Sequence, residues 1–422
     1  MDALLAICLA LCLAGLLQSA LMLLHAWEHR RYHRSRLTAD RNPGPLPSVT
    51  LFVPCKGQDV GMEANLRALF TQHYGPVELC FLVESEQDGS VGAIRRLQAQ
   101  YPAITSRLLC TGIAESCGQK VHNLIRGTET LPPASKVLAF VDSDACPHPD
   151  WLARLVERLQ SGKFAVATGY RWYVPVRSTF ANRMLSAINN TVVGVMGPHG
   201  FNLVWGGAWA IRADVFKKLG LPAAWRGSLS DDLVVSRLVH QARLKVAYEP
   251  HCLVRSSADF TWAGLAEFLR RQYLVARVYA PTWWKFAALS AGLTNFVVLG
   301  LAILALWYGL TGGPWLLAAL GLLSCYALTA LRNAISARAV QPFVDVTDNL
   351  YAQVACINIW GWPLVSLVVG VGLAASAVGR TIVWRGIQYV LVSPDETRIL
   401  GRCAESDAIH SKSPRGRITP AA

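Results

Sequence analysis

Apolar residues fall into two patterns along this chain. In one they run on almost without interruption. Leu4 to about Trp27 is such a run, and so are Phe286–Leu310, Trp315–Leu331 and Ala355–Val378. Each is long enough to cross a bilayer as a helix. Gly312-Gly313-Pro314 turns the chain between the second and third runs, and residues 332–353 are mixed in character.

In the other pattern, between roughly residues 45 and 255, short apolar runs alternate with periodic ones. Ser48–Val53 reads as a strand stopped by Pro54, and Asn65–Gln72 as a helix with Leu66, Leu69 and Phe70 on one face. A strand over Val77–Val83, a helix over Val91–Gln100, a strand over Leu138–Val141, a helix over Trp151–Leu159 and a strand over Phe164–Thr168 follow. Strands alternating with helices predict an α/β domain with a mostly parallel sheet covered on both faces.

Composition supports membrane attachment. Of 422 residues, 53% are hydrophobic and only 16% charged, too apolar for an ordinary soluble enzyme. The net charge of +13 argues for nucleic acid only until its placement is read. His29-Arg30-Arg31, His33-Arg34, Arg36, Arg332, Arg338, Arg380 and Arg385 flank the apolar runs, as cytoplasmic flanks of membrane helices do, so no nucleic-acid partner is expected. Basic residues follow the first run rather than precede it, which predicts a retained anchor with residues 30 onward in the cytoplasm. One amino-terminal span and three later ones would put the basic tail outside. Either that rule fails here or one span is re-entrant. The 11 cysteines show no CxxC and the histidines no HExxH, so neither a disulfide framework nor a zinc site is indicated.

The candidate chemistry gathers at strand ends. Asp142-Ser143-Asp144 closes a buried strand at its carboxyl end, the edge where open α/β sheets bind ligands. Two carboxylates one residue apart there are either a solvated turn or hard oxygen ligands for Mg²⁺ or Mn²⁺. Pro54-Cys55-Lys56-Gly57 ends the first strand, and Glu84-Ser85-Glu86-Gln87-Asp88 the second. Further on come a Gly118–Leu124 loop with Lys120 and Asn123, the Trp205-Gly206-Gly207 segment, and Ser230-Asp231-Asp232. Ser230 suits the N-cap of a helix reaching Val239.

Taken in this order, the motifs resemble the family 2 inverting glycosyltransferases with the GT-A fold, closest to the ceramide glucosyltransferase-like branch, over about residues 2 to 395. The resemblance implies a hexose, glucose first, carried from a UDP-sugar to a lipid acceptor such as ceramide. It implies Asp142 and Asp144 as ligands of a divalent cation, and Asp232 as the base. Lys56, Glu84, Asp88, Lys120, Asn123 and Asp142 would hold the sugar nucleotide. Gly206, Gly207, Asp231, Arg271, Gln272 and Arg277 would face the diphosphate and acceptor. The family's (Q/R)xxRW motif is altered here, with Leu274 and Val275 in place of its Arg and Trp. A processive polysaccharide synthase and an inactive transferase-like scaffold are the alternatives.

The expected organisation is an anchor over 1–28, a cytoplasmic GT-A domain over 29–284 with an interfacial helix near 262–279, about three membrane helices over 285–378, and a basic, partly disordered tail over 379–422. A multi-pass protein of the bacterial inner membrane is implied. Thr381–Tyr389 resembles a segment of bacterial members and is given an interfacial place without chemistry.

Overall fold

The computed structural model describes residues 3–39 and 44–402, and the backbone of 419 and 420. Expectations for the remainder of the tail, residues 403–418, 421 and 422, lie outside the described residues.

Helix α1 (Ala3–Leu37) leads to β1 (Val49–Pro54), α2 (Met62–Phe70), β2 (Val77–Val83) and α3 (Val91–Gln100). Next come β3 (Ser106–Cys110), α4 (Gln119–Glu129), β4 (Val137–Val141), α5 (Trp151–Gln160) and β5 (Val166–Pro175). Then follow α6 (Phe180–Val193), β6 (Ala208–Arg212), α7 (Ala213–Lys218), α8 (Leu221–Trp225), α9 (Asp231–Gln241) and β7 (Val246–Ala258). The strands form a seven-stranded sheet in the order β3-β2-β1-β4-β6-β5-β7. Strand β6 pairs antiparallel with β4 and β5, while the other pairings are parallel.

Strands β1 and β4 are buried at every position. A central parallel strand is covered on both faces, which is why their sequences are continuous apolar runs rather than alternating ones. β3 escaped the sequence pattern because it is a half-buried edge strand with no such run. The Gly118–Leu124 loop is corrected to a helix: Gly118 is extended and α4 starts at Gln119. Its buried positions, Val121, Leu124 and Thr128, recur every three or four residues.

Pairing of β4 with β6 sets the geometry of the site. The register Val141↔Ala208 puts Asp142 beside Gly207, whose carbonyl accepts from the Asp142 N–H at 3.4 Å. Below this edge Phe140 stacks on Trp209 with centroids 4.0 Å apart.

Helix α10 (Trp262–Tyr279) covers the stretch expected as a helix near 262–279 and leads into α11 (Pro281–Thr311) and α12 (Trp315–Val340). Helices Ala3–Leu37, Pro281–Thr311 and Trp315–Phe343 are long and apolar enough to cross a membrane. Small residues let them approach: a Cβ on Gly321 would lie 2.3 Å from the Cys12 sulfur, and one on Gly15 2.7 Å from that of Cys325. The third carboxy-terminal run is corrected to two helices, α13 (Asp348–Trp360) and α14 (Trp362–Ala377), bent by 79°. Pro363 at the start of α14 cannot continue a helical hydrogen-bond ladder.

Helix α1 does not stop at the expected anchor boundary. It extends into the α/β domain, where Arg36 pairs at 2.9 Å with Glu249, a fully buried carboxylate. The segment after α14 is not a loose tail either. β8 (Thr381–Trp384), β9 (Ile387–Ser393) and β10 (Glu396–Arg402) form an antiparallel meander, extended by β11 (Thr419–Pro420). Ile382, Ile387, Tyr389 and Leu391 are buried in the same apolar cluster as Val121, Leu229 and Tyr279.

Candidate active site

Lys120 organises the site. Its ammonium donates to Asp142 Oδ1 at 2.8 Å, Asp231 Oδ1 at 3.1 Å and the Gly206 carbonyl at 3.1 Å. All three ammonium protons are thereby used. Burial works against its charge, but Asp142, Asp231 and Asp232 outweigh it and raise its pKa. The lysine projects from the first turn of α4, Asp142 from the end of β4, and the two later aspartates from the first turn of α9.

Asp232 is held on both oxygens. The Gly206 N–H donates to Oδ2 at 2.7 Å, while the Ser230 hydroxyl and the Leu233 N–H donate to Oδ1 at 2.6 and 2.8 Å. Ser230 also caps α9 by accepting from the Leu233 N–H, as the sequence predicts. Asp231 is more deeply buried, and its Oδ2 has no partner among the described residues. Burial is the main cause that lifts its carboxyl to about 7; Lys120 opposes the shift, and the neighbouring aspartates add to it.

Asp144 follows two residues after Asp142, and its buried Oδ1 is also without a partner among the described residues. Burial and the charge of Asp142 raise its carboxyl to about 6. Asn65 and Asp59 hold the loop from below: Asn65 donates to the Ser143 carbonyl at 3.2 Å, and the Ser143 hydroxyl donates to Asp59 at 2.8 Å. Among the described residues, no three or more His, Cys, Asp or Glu gather to hold a metal unaided.

The glycine pair serves the protein's own side chains. A Cβ on Gly206 would lie 2.8 Å from Lys120 Nζ and 3.0 Å from both Asp231 and Asp232. One on Gly207 would meet the Trp205 ring at 2.3 Å and Asp142 at 2.9 Å. Only glycine leaves room for this cluster.

Two adjoining cavities meet here. The first, of about 390 Å³, is lined on its polar side by Lys56, Asp59, Asn123, Asp142, Asp144 and Arg171. The second, of about 290 Å³, contains Asp231 and Asp232 and has apolar walls from Val192, Met196, Val275 and Trp283. Lys120, Asp142, Arg171, Arg271, Gln272 and Trp384 line both and form the partition. Arg171 lies over the rings of Tyr173 and Trp205 at 4.7 and 5.5 Å. Burial and the charges of Arg171 and Arg385 push the Arg271 guanidinium down to about 10, against the pull of Tyr173.

Several expected site residues are placed elsewhere. Asp88 lines neither cavity; its carboxylate accepts from the Gly57 N–H, the Ser90 N–H and the Ser90 hydroxyl, so it fastens two turns. Glu84 is also outside both linings, paired with Lys56 at 2.8 Å and Arg402 at 3.0 Å. Arg277 turns away to donate to the carbonyls of Ala377 and Gly379 at the end of α14. Gly207 is covered by Trp205. Conversely, Asp59, Arg171, Tyr173, Trp384 and Arg385 line the first cavity unforeseen. Trp384 and Arg385 stood in a segment given no chemistry, because only the folded chain brings them to the sheet edge.

The chain matches the sequence model of glycosyl transferase family 21 over residues 7–396. It belongs to that family. This is the ceramide glucosyltransferase family, the branch the sequence motifs resemble. The family 21 chain is 29% identical to ceramide glucosyltransferase 3 of Caenorhabditis elegans over 98 residues, which is 23% of this chain and 20% of that protein. It is 37% identical to the ceramide glucosyltransferase of Komagataella phaffii over 67 residues, 16% of this chain and 13% of that one. The alignments thus span a fifth or less of these curated relatives. Among solved structures, the mannosyltransferase PcManGT of Pyrobaculum calidifontis, in complex with GDP-Man and Mn²⁺, aligns with a TM-score of 0.50 at 16% identity. It covers 83% of this chain and 99% of its own, a likeness of fold that identifies the family 21 domain as GT-A.

Proposed function

We propose that this family 21 member is an inverting hexosyltransferase that moves glucose from a UDP-sugar to the hydroxyl of a membrane lipid such as ceramide. The observation that carries the reading is the convergence of Asp142, Asp231 and Asp232 around Lys120 where a polar cavity meets an apolar-walled one. The names of the curated relatives support glucose and ceramide.

The donor occupies the polar cavity, its diphosphate between the Asp142–Asp144 loop and the guanidinium groups of Arg171 and Arg271. The lipid headgroup enters the apolar-walled cavity from α10 and α11, with its chains left in the bilayer. Asp232 is the base. Three donors fix its carboxylate, and a carboxylate has about four lone-pair sites, so one is left for the acceptor hydroxyl. That hydroxyl gives its proton to Asp232 as its oxygen attacks the anomeric carbon. The bond to the diphosphate breaks on the opposite face, which inverts the centre.

Asp142 and Asp144 fit a divalent cation, Mg²⁺ or Mn²⁺. Asp144 presents a buried oxygen without a partner among the described residues, and such ions are commonly held by one or two carboxylates with phosphates completing the shell. When bound, the cation supplies positive charge to the departing diphosphate. The α/β domain faces the cytoplasm in this reading, where sugar nucleotides are made.

The test is transfer by the full chain in lipid nanodiscs containing ceramide, with labelled UDP-glucose, UDP-galactose and GDP-mannose offered in turn. Label from UDP-glucose is expected in the lipid phase. Absence of lipid product from any donor overturns the reading, and insoluble polymer would replace it with a synthase.

A further inference from the structure

The β8–β9 turn brings an arginine to the donor cavity from beyond the last membrane helix. Trp384 lines both cavities and Arg385 the first. The turn has two residues with positive φ, Arg385 at 51° and Gly386 at 73°. That hairpin geometry favours Asn or Gly at both central positions, and an arginine there carries a backbone cost. What holds it is an ion pair with Asp59, at 2.6 Å, and a bond donated to the Lys56 carbonyl at 3.4 Å. Asp59 accepts in turn from Ser143, the residue between Asp142 and Asp144. A chain of direct contacts therefore joins the carboxy-terminal hairpin to the aspartate loop.

The charges around the cavity are unevenly matched. Asp59, Asp142, Asp144 and Asp259 face it, but Lys120 neutralises Asp142 and Arg177 pairs with Asp259 at 2.8 Å. Arg171, Arg271 and Arg385 converge from three different elements, β5, α10 and the hairpin turn. Arg271 donates to the Val383 carbonyl at 3.3 Å and lies over the Trp384 ring at 5.9 Å, so it is docked on the same hairpin. Three guanidinium groups around one cavity call for an anion with several oxygens, and a guanidinium matches phosphate oxygens two at a time.

We propose that Arg385 is a diphosphate-binding residue, held ready by Asp59, and that the carboxy-terminal hairpin is a wall of the donor site. On donor binding the guanidinium exchanges the single carboxylate of Asp59 for the phosphate oxygens. The Asp59–Ser143 contact keeps the hairpin in register with the loop that carries Asp142 and Asp144. This rests on the donor reading above, so its test must separate the two.

Binding of UDP and of uridine is measured by calorimetry on the full chain in nanodiscs, for wild type, Arg385→Ala, Arg385→Lys and Asp59→Asn. Wild type is expected to bind UDP. Arg385→Ala should lose at least tenfold in UDP affinity with uridine affinity unchanged, and Arg385→Lys should recover part of it. Asp59→Asn frees the arginine and should bind UDP as tightly as wild type or more so. If wild type binds UDP and Arg385→Ala binds it equally well, the arginine proposal is overturned while the donor reading stands. Equal losses for UDP and uridine, or matching losses in Arg385→Ala and Asp59→Asn, assign the pair to scaffolding alone and also overturn it. If wild type does not bind UDP, the donor reading itself falls.

Discussion

At the scale of single residues, Asp231 and Asp232 are adjacent in sequence yet differ in surroundings. Asp232 is half-buried, lines the apolar-walled cavity and is fixed by three donors. Asp232→Asn is expected to lower transfer by at least a hundredfold, the lower range for general-base loss, while UDP affinity measured by calorimetry stays near wild type. Asp231 makes a prediction in pH. Its carboxyl titrates near 7 in the folded chain against an ordinary 3.8. Between those values the folded chain holds a proton that the unfolded chain has released. The stability this contributes is complete below about 3.8 and is lost as pH rises through about 7. The melting temperature of Asp231→Asn should therefore gain on that of wild type as pH is raised from 5 to 8, and a constant difference across that range would count against the shift. Gly207 carries a steric prediction. With 2.3 Å between an added Cβ and the Trp205 ring, Gly207→Ala should destabilise the domain by about 1–3 kcal/mol, read as a lowered unfolding midpoint.

At the scale of elements, the carboxy-terminal meander departs furthest from the sequence reading. Leu391 is fully buried and packs in the cluster that contains Val121 and Leu229 of the α/β domain. Leu391→Ala should cost about 2–5 kcal/mol, as in other cores, and should lower the melting of the α/β domain itself. An unchanged domain transition would make the meander an appendage. The reason it was not legible is periodicity. Ile382, Ile387, Tyr389 and Leu391 alternate only over short strands whose partners are one another, and nothing local tells such a hairpin from a membrane-proximal tail. Strands β1, β2 and β4 were legible because burial on both faces demands uninterrupted apolar side chains. The edge strand β3 has no such demand.

At the scale of the whole molecule, the bent pair α13–α14 is where the parity problem left by counting apolar runs is to be tested. The hairpin after α14 reaches back to the domain: Arg237 pairs with Asp395 at 2.7 Å, and the Gln119 N–H donates to the Tyr389 hydroxyl at 3.2 Å. If α11 crosses the bilayer and α12 crosses back, a chain that ends on the domain is expected to have the bent pair enter and leave on one side. The prediction is topological. With Cys110, Cys146, Cys356 and Cys403 replaced by serine, Gly312→Cys and Ser393→Cys should react with an impermeant thiol reagent from opposite faces of sealed vesicles. Reaction from the same face would make the pair a true span. The extension of α1 into the domain, sealed by Arg36 and buried Glu249, ties the amino-terminal apolar helix directly to the domain that carries the site.

The sequence alone determined the α/β alternation, the three long apolar helices, the strand-end placement of Asp142 and Asp144, and the helix-start placement of the Asp231–Asp232 pair. Each of these follows from local chemistry: hydrophobic period, run length, or a turn at a strand end. Tertiary structure decided which of those groups meet. Lys120 reaches aspartates from two distant segments because β4 pairs with β6 in one register and α4 opens beside α9. Arg385 reaches Asp59 across more than three hundred residues of chain because the membrane helices return it to the domain. Contacts between groups so far apart depend on packing in three dimensions, and no spacing along the sequence records them.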